Sequence, residues 1–300
     1  MTKVYEWVAD RLIKIIEETD ELPWQREWMS RNPAVNWITQ KPYKGINRLT
    51  TVPGGEYATE YQIKQNGGKI KSEERKNYTM IVYWLWPDKK KSEEEYDEEE
   101  NESDKERGRP TPLYSKVWDI NTQCTGLASR MVTEDLIVHH PIENAEKLIQ
   151  DFFSHTSSPR FRHMSDTADY VIPLDLVRVP PKEEFYKIEA YYSTSYHEMI
   201  HSTGHKTRLA RPGIVQFDKF GSEQYGKEEL IAEIGASIMC FEAGINYLTE
   251  KQNAAYVKNW LKVLKNDKKM IVIAAQQAQR AVDYINSIVQ EYNSTKEDVA

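Results

Sequence analysis

The segment His197-Glu198-Met199-Ile200-His201-Ser202-Thr203-Gly204 decides how the rest of the chain is read. On a helix, residues four apart share a face, so the imidazoles of His197 and His201 point at a common place. Glu198 follows the first histidine and projects beside that place, where a carboxylate can take a proton from water. Tyr196, Met199 and Ile200 supply an apolar flank for packing, and Gly204 offers a helix stop just past the second histidine. The pattern points to metal-assisted hydrolysis, with Zn2+ as the expected cofactor.

Two imidazoles leave a catalytic zinc site one protein ligand short. His205 lies about 12 Å beyond His197 along a continuing helix, too far to share an ion. Downstream, YGKEELIAEIGASIMC (Tyr225–Cys240) sets Glu229 and Glu233 four apart among Leu230, Ile231, Ile234, Ile238 and Met239. Carboxylates in such company need partners. Glu229 is therefore the expected third ligand, and Glu233 the residue expected to hydrogen-bond a ligand histidine; Glu228 is the rival for the ligand position. Tyr191, Tyr192 and His205 are all placed to donate to an oxyanion, and the sequence does not choose among them.

Composition bounds the remaining readings. Three hundred residues fit two ordinary domains. No apolar run approaches the roughly 20 residues that span a bilayer, so no membrane association is expected. The start, MTKVYEWVADRLIKII, does not read as a signal peptide. Cys124 and Cys240 are far apart and sit in no CxxC or CxxH pair, which argues against a disulfide framework and a thiolate zinc site. A cytoplasmic location is expected on those grounds. The net charge of -7 is unevenly spread: residues 1–90 carry 15 Lys and Arg against 12 Asp and Glu, whereas residues 91–109 carry 4 against 10. The mildly basic front half permits nucleic-acid binding there.

The run DKKKSEEEYDEEENESDKERGRPTP (Asp88–Pro112) holds almost nothing apolar, so it reads as a mobile acidic loop. Its flanks, TMIVYWLW (Thr79–Trp86) and PLYSKVWDI (Pro112–Ile120), read as strands that pair across it. Helices are expected over Val4–Glu18, in a short piece of Tyr57–Ile70 ending at Gly67-Gly68, and over Glu143–Phe153. A strand is expected in YVIPLDLV within Ala168–Val179. Further helices follow over Glu183–Gly204, Lys227–Glu242, Asn253–Asn266 and Lys269–Tyr292. The fold class is α+β: a small α+β domain over residues 1–130, with the loop at about 88–111, then a mostly helical domain over 131–300.

Seven of the eight tryptophans precede residue 119, several beside basic or amide residues, as in PWQREW (Pro23–Trp28) and NWITQKPYKGINRL (Asn36–Leu49). Single-stranded nucleic acid is held by bases stacked on aromatic faces along a positive groove. Trp24, Arg26, Trp37, Tyr43, Lys44, Asn47 and Arg48 are the residues expected to contact it. Most of the same aromatics are expected to build the core of a small domain.

Read in order, several stretches resemble the ArdC-type antirestriction proteins of conjugative plasmids and phages. They are PWQREW, YKGIN (Tyr43–Asn47), YATEYQIKQNGGKIKSEE, the following IVYW, WDINTQCTGL (Trp118–Leu127), SDTADYVIPL (Ser165–Leu174), HEMIHSTGHKTRLAR (His197–Arg211) and GSEQYGKEELIAEIGA (Gly221–Ala236). The 91–109 acidic run is not part of that pattern, and Asp119-Ile120-Asn121 stands where Val-Phe-Asn is expected. The resemblance implies a single-stranded-DNA-binding domain joined to a zincin-like metallopeptidase domain. It further implies His197, His201 and Glu229 on the metal, with Glu198 as catalytic base. The implied task is protection of incoming mobile DNA, the target being a host restriction protein or another DNA-bound protein. Two other readings stay open: a non-proteolytic protein that coats single-stranded DNA, its zinc domain structural or partner-binding, and a protease that cleaves a repressor.

Overall fold

The computed structural model describes residues 3–19, 22, 34–52, 54–85, 111–131, 141–216, 223–245 and 254–297. Trp24, Arg26 and the 88–110 part of the acidic run lie outside these residues. The front half runs α1 (Lys3–Thr19), β1 (Val35–Asn36), α2 (Ile46–Thr50), β2 (Glu56–Thr59), α3 (Glu60–Gln65), β3 (Lys69–Ile70), β4 (Thr79–Leu85), β5 (Thr111–Asp119) and β6 (Cys124–Thr125). The second half runs α4 (Pro141–Ser154), β7 (Arg160–His163), β8 (Asp169–Val171), β9 (Leu176–Val179), α5 (Ile188–Thr203), α6 (Pro212–Val215), α7 (Glu223–Ala243), α8 (Ala254–Asn266) and α9 (Met270–Glu297). This is the α+β arrangement expected from the sequence.

β4 and β5 pair antiparallel from Thr79↔Val117 to Leu85↔Thr111, as their β-branched and aromatic content predicts. They belong to a four-stranded sheet ordered β1-β2-β5-β4. The Tyr57–Ile70 stretch divides more finely than expected. Its first residues join β2, and Thr59 then caps α3 by a reciprocal capping box with Gln62. Trp37, Ala58, Ile63, Trp118, Ile120 and Cys124 close a small core in this half.

Two expectations in the second half need correction. The single strand in YVIPLDLV is two strands, because Ile172–Leu174 form a 3-10 turn that ends at Asp175, whose φ is 45°. The turn folds β8 back antiparallel on β9, while β7 runs parallel to β9 on its other side. The helix expected from Glu183 begins at Ile188; Lys182–Glu184 form a separate 3-10 turn.

The main core takes residues from both sides of residue 130. Val8, Leu12 and Ile16 of α1 and Ile46 and Leu49 of α2 are buried in the same cluster as Phe152, Tyr196, Leu230, Ile271 and Ile285. The four-residue spacing of the α1 residues makes one apolar stripe, which packs on α8 and α9. Glu56, fully buried, ties the 129–131 segment to the sheet by accepting from the backbone N–H groups of Arg130 and Met131 at 3.0 and 3.1 Å.

Asn47 closes the open side of β4, the edge strand. Its Oδ1 accepts from Val82 N and its Nδ2 donates to Val82 O, both at 2.7 Å, so one side chain substitutes for a strand neighbour. Asn47→Ala leaves both backbone groups without this partner and is expected to cost about 1–3 kcal/mol. A urea midpoint indistinguishable from that of the unsubstituted chain would show that the pairing contributes nothing.

Candidate metal centre

α5 and α7 carry the site, and their packing sets its dimensions. Tyr196, Met199 and Ile200 on α5 are fully buried against Leu230, Ile234 and Ile238 of α7. That packing turns His197, Glu198 and His201 toward the first turns of α7, where Glu228 and Glu229 lie. Nε2 of His197 and Nε2 of His201 are 3.1 Å apart. Glu229 completes a triangle, with Oε1 at 3.4 Å from His201 Nε2 and Oε2 at 3.7 Å from His197 Nε2.

The donor set fits a divalent ion. Ligand atoms roughly 2.0–2.1 Å from a tetrahedral centre are about 3.3–3.4 Å apart, close to the edges of this triangle. Two imidazoles and a carboxylate are also the ligand types of open, catalytic zinc sites. The three side chains keep 11–16% exposure, so the triangle is reachable from solvent. Glu198 lies beside it, 6% exposed. Burial pushes its carboxyl above the usual range, while the charges of His197 and His201 pull the other way.

Glu233 is buried one turn further along α7, and Glu228 lies beside His201, with Oε1 at 3.4 Å from Nδ1. Glu228 in turn accepts from Arg211, at 3.0 Å from Nε and 2.6 Å from Nη2. Burial opposes its charge, but the adjacent guanidinium holds the carboxyl below the ordinary range. The rival third ligand thus faces the far nitrogen of His201, leaving Glu229 on the side of the two Nε2 atoms. The sequence places Arg211 at the end of the HEMIHSTGHKTRLAR stretch but gives no sign that it is buried against Glu228. The oxyanion donors also separate: Tyr192 gives its hydroxyl to Glu146 at 2.9 Å, Tyr191 is 2% exposed, and His205 pairs with Thr207 at 2.8 Å.

Of the expected nucleic-acid residues, the described ones are mostly engaged within the fold. Trp37 is 3% exposed, donates Nε1 to Ala128 O at 3.0 Å, and has Arg130 stacked 4.0 Å over its ring. It is a core residue with its face already covered. Tyr43 packs edge-on against Tyr57, and Asn47 is engaged with β4. Arg48 lies over the Phe241 ring at 4.0 Å and 3.8 Å from Glu242, so it binds α2 to the end of α7. Lys44 is well exposed, 3.7 Å from Asp283.

With this geometry in view, comparison with known proteins is informative. Residues 2–118 match the family model of the N-terminal domain of anti-restriction factor ArdC, and residues 143–277 match that of a zincin-like metallopeptidase. The crystal structure of the metal-free antirestriction ArdC protein from plasmid R388 matches with a TM-score of 0.67 at 27% identity, covering 96% of this chain and 98% of that one. Its Mn(II)-bound form matches with a TM-score of 0.67 at 28% identity, covering 95% and 97%. Two proteins of Escherichia coli named DNA primase TraC are 31% and 28% identical over 96% of this chain. The chain spans only 27% and 20% of their lengths.

The electrostatics of the triangle set a pH dependence. Burial alone would lower the pKa of His201, but its hydrogen bonds to Glu228 and Glu229 outweigh that and push it up to about 10. The metal-free chain therefore keeps a proton on His201 at neutral pH, and an incoming ion must displace it. Lower pH strengthens the competing proton, so zinc affinity should rise about tenfold per pH unit from roughly pH 7 to pH 9. Competition with a chromophoric chelator reads this directly; a flat profile would refute it.

Proposed function

The chain belongs to the ArdC-type family, and from that premise we propose that it is an antirestriction protein of a mobile element that binds single-stranded DNA and hydrolyses peptide bonds at a zinc site. The observation that carries the reading is the triangle of His197, His201 and Glu229 with the buried Glu198 beside it. His197, His201 and Glu229 are the residues that would hold the ion. When bound, it supplies Lewis-acid polarisation of a water and of the scissile carbonyl. Glu198 takes the proton of the attacking water and delivers it to the leaving amine. The Glu228 carboxylate orients His201 from behind. The metallopeptidase module is assigned to residues 131–300.

The DNA-binding half is assigned to residues 1–130, and three facts support it. The family model matched there belongs to an anti-restriction factor, two relatives are named DNA primases, and residues 1–90 are mildly basic. Trp24, Arg26 and Lys44 remain the proposed contacts. Trp37, Tyr43, Asn47 and Arg48, the other residues expected to contact DNA, are engaged within the fold. The protein target is taken to be a host restriction protein or another protein bound to DNA.

A second reading has one observation in its favour. α1 of the front half shares the core of the metal-bearing helices, so an ion on α5 and α7 would stabilise the whole chain. The protein would then coat single-stranded DNA without cutting anything. Two substitutions separate the readings. Glu229→Ala should lose stoichiometric zinc, whereas Glu198→Gln should keep zinc and lower peptide cleavage by about 10²–10⁴-fold. Full protection of DNA in cells by Glu198→Gln would favour the coating reading; zinc retained in Glu229→Ala would sink the ligand assignment. For the front half, Trp24→Ala with Lys44→Ala should weaken single-stranded-DNA binding while the melting temperature holds. Trp37→Ala should instead cost about 3–5 kcal/mol of stability. A Trp37→Ala chain as stable as the original would contradict its placement in the core.

A further inference from the structure

The loop after α5 returns to the back of the metal site through one side chain. Arg211, 3% exposed, lies under the last turn of α5. Its Nη1 donates to Thr203 Oγ1 at 2.6 Å and its Nη2 to Ile200 O at 2.7 Å, with His201 O at 3.4 Å. The same planar group holds both oxygens of Glu228, whose Oε1 faces Nδ1 of His201. One guanidinium therefore answers a carbonyl of the helix end, neutralises a buried carboxylate and, through it, touches the orientation of a proposed ligand.

Gly204 provides an independent sign that this placement matters. A Cβ there would come within 2.6 Å of Ile214 Cγ1 and 3.0–3.1 Å of the Arg211 guanidinium. Its φ of -73° is ordinary helical backbone that any residue adopts. Space for Ile214 and Arg211, rather than backbone conformation, accounts for the glycine of HSTG.

We propose that Arg211 is a positioning residue for the metal site, holding Glu228 against His201 Nδ1 so that His201 Nε2 faces His197 and Glu229. The proposal rests on those three residues being the ligand set. A lysine at this position would carry the charge but not the fork that reaches a carboxylate and a helix carbonyl together. Outer partners of ligand histidines typically change metal affinity by about 10–100-fold when removed.

The test uses the full chain and zinc alone, with affinity read by chelator competition and the ligand field read from the visible spectrum of the Co2+ form. Arg211→Met and Glu228→Gln should each weaken zinc binding about 10–100-fold and alter the Co2+ spectrum. The double substitution should be no weaker than Glu228→Gln alone, because Arg211 acts through Glu228. Arg211→Lys should not restore affinity. If Arg211→Met does not fold by circular dichroism, Gly204→Ala moves the guanidinium without removing it and should weaken zinc in the same direction. Losses that add in the double substitution, or an Arg211→Lys chain that binds zinc as the original does, would overturn the proposal. So would unchanged zinc affinity in Gly204→Ala. Zinc retained by Glu229→Ala is a separate outcome: it overturns the ligand reading, and the proposal with it.

Discussion

The closeness of α5 to α7 is the constraint on which the site depends. A Cβ at Gly235 would fall 2.7 Å from Cδ1 and 2.8 Å from Cγ1 of Ile200, inside any tolerable contact. Ile200 immediately precedes His201, and Gly235 lies less than two turns from Glu229 on α7. A larger residue at 235 would push the helices apart by something of the order of a methyl group. Donor atoms separated by 3.1–3.7 Å do not survive such a shift as a common site, since ligand constellations need placement to within about 0.5 Å. The missing Cβ thus belongs to the site as much as the side chains that face it.

Around that contact the protein handles buried acids in different ways. Glu56 is answered largely by backbone N–H groups, Glu228 by a guanidinium, and Glu229 by two imidazoles. Each of these three carboxyls is held below its ordinary range despite burial. Glu198 is the exception, since burial dominates and raises it. Burial and neighbouring charge thus push carboxyls of one site in opposite directions.

Much of this was legible in the sequence, for local reasons. The period of α1, the apolar stretch of α7 and the paired strands around the acidic run are all repeated patterns that burial imposes. HEMIH could be placed on a helix because both of its histidines serve one face. The turn at Ile172–Asp175 was missed because the apolar residues on either side of Pro173 and Asp175 read as one β pattern, although both residues interrupt it. Short elements such as α2 and β7 carry too few residues to show a period. Arg211 was hidden for another reason: its role depends on a contact across 17 residues with Glu228, and a lone arginine gives no sign of being buried. Trp37, equally, could be read as a stacking face until Ala128 and Arg130 were seen to enclose it.

The shared core has a consequence for how such a segment can be inherited. The stripe of Val8, Leu12 and Ile16 has its complement on α8 and α9, nearly the whole chain away. A copy of the front half moved alone would carry an apolar helix face without the surface that covers it. The TraC primases, of which the chain matches about a quarter or less, align with both halves together. Recombination can join such a segment to new neighbours at its ends, while selection against the exposed stripe keeps its interior in one piece.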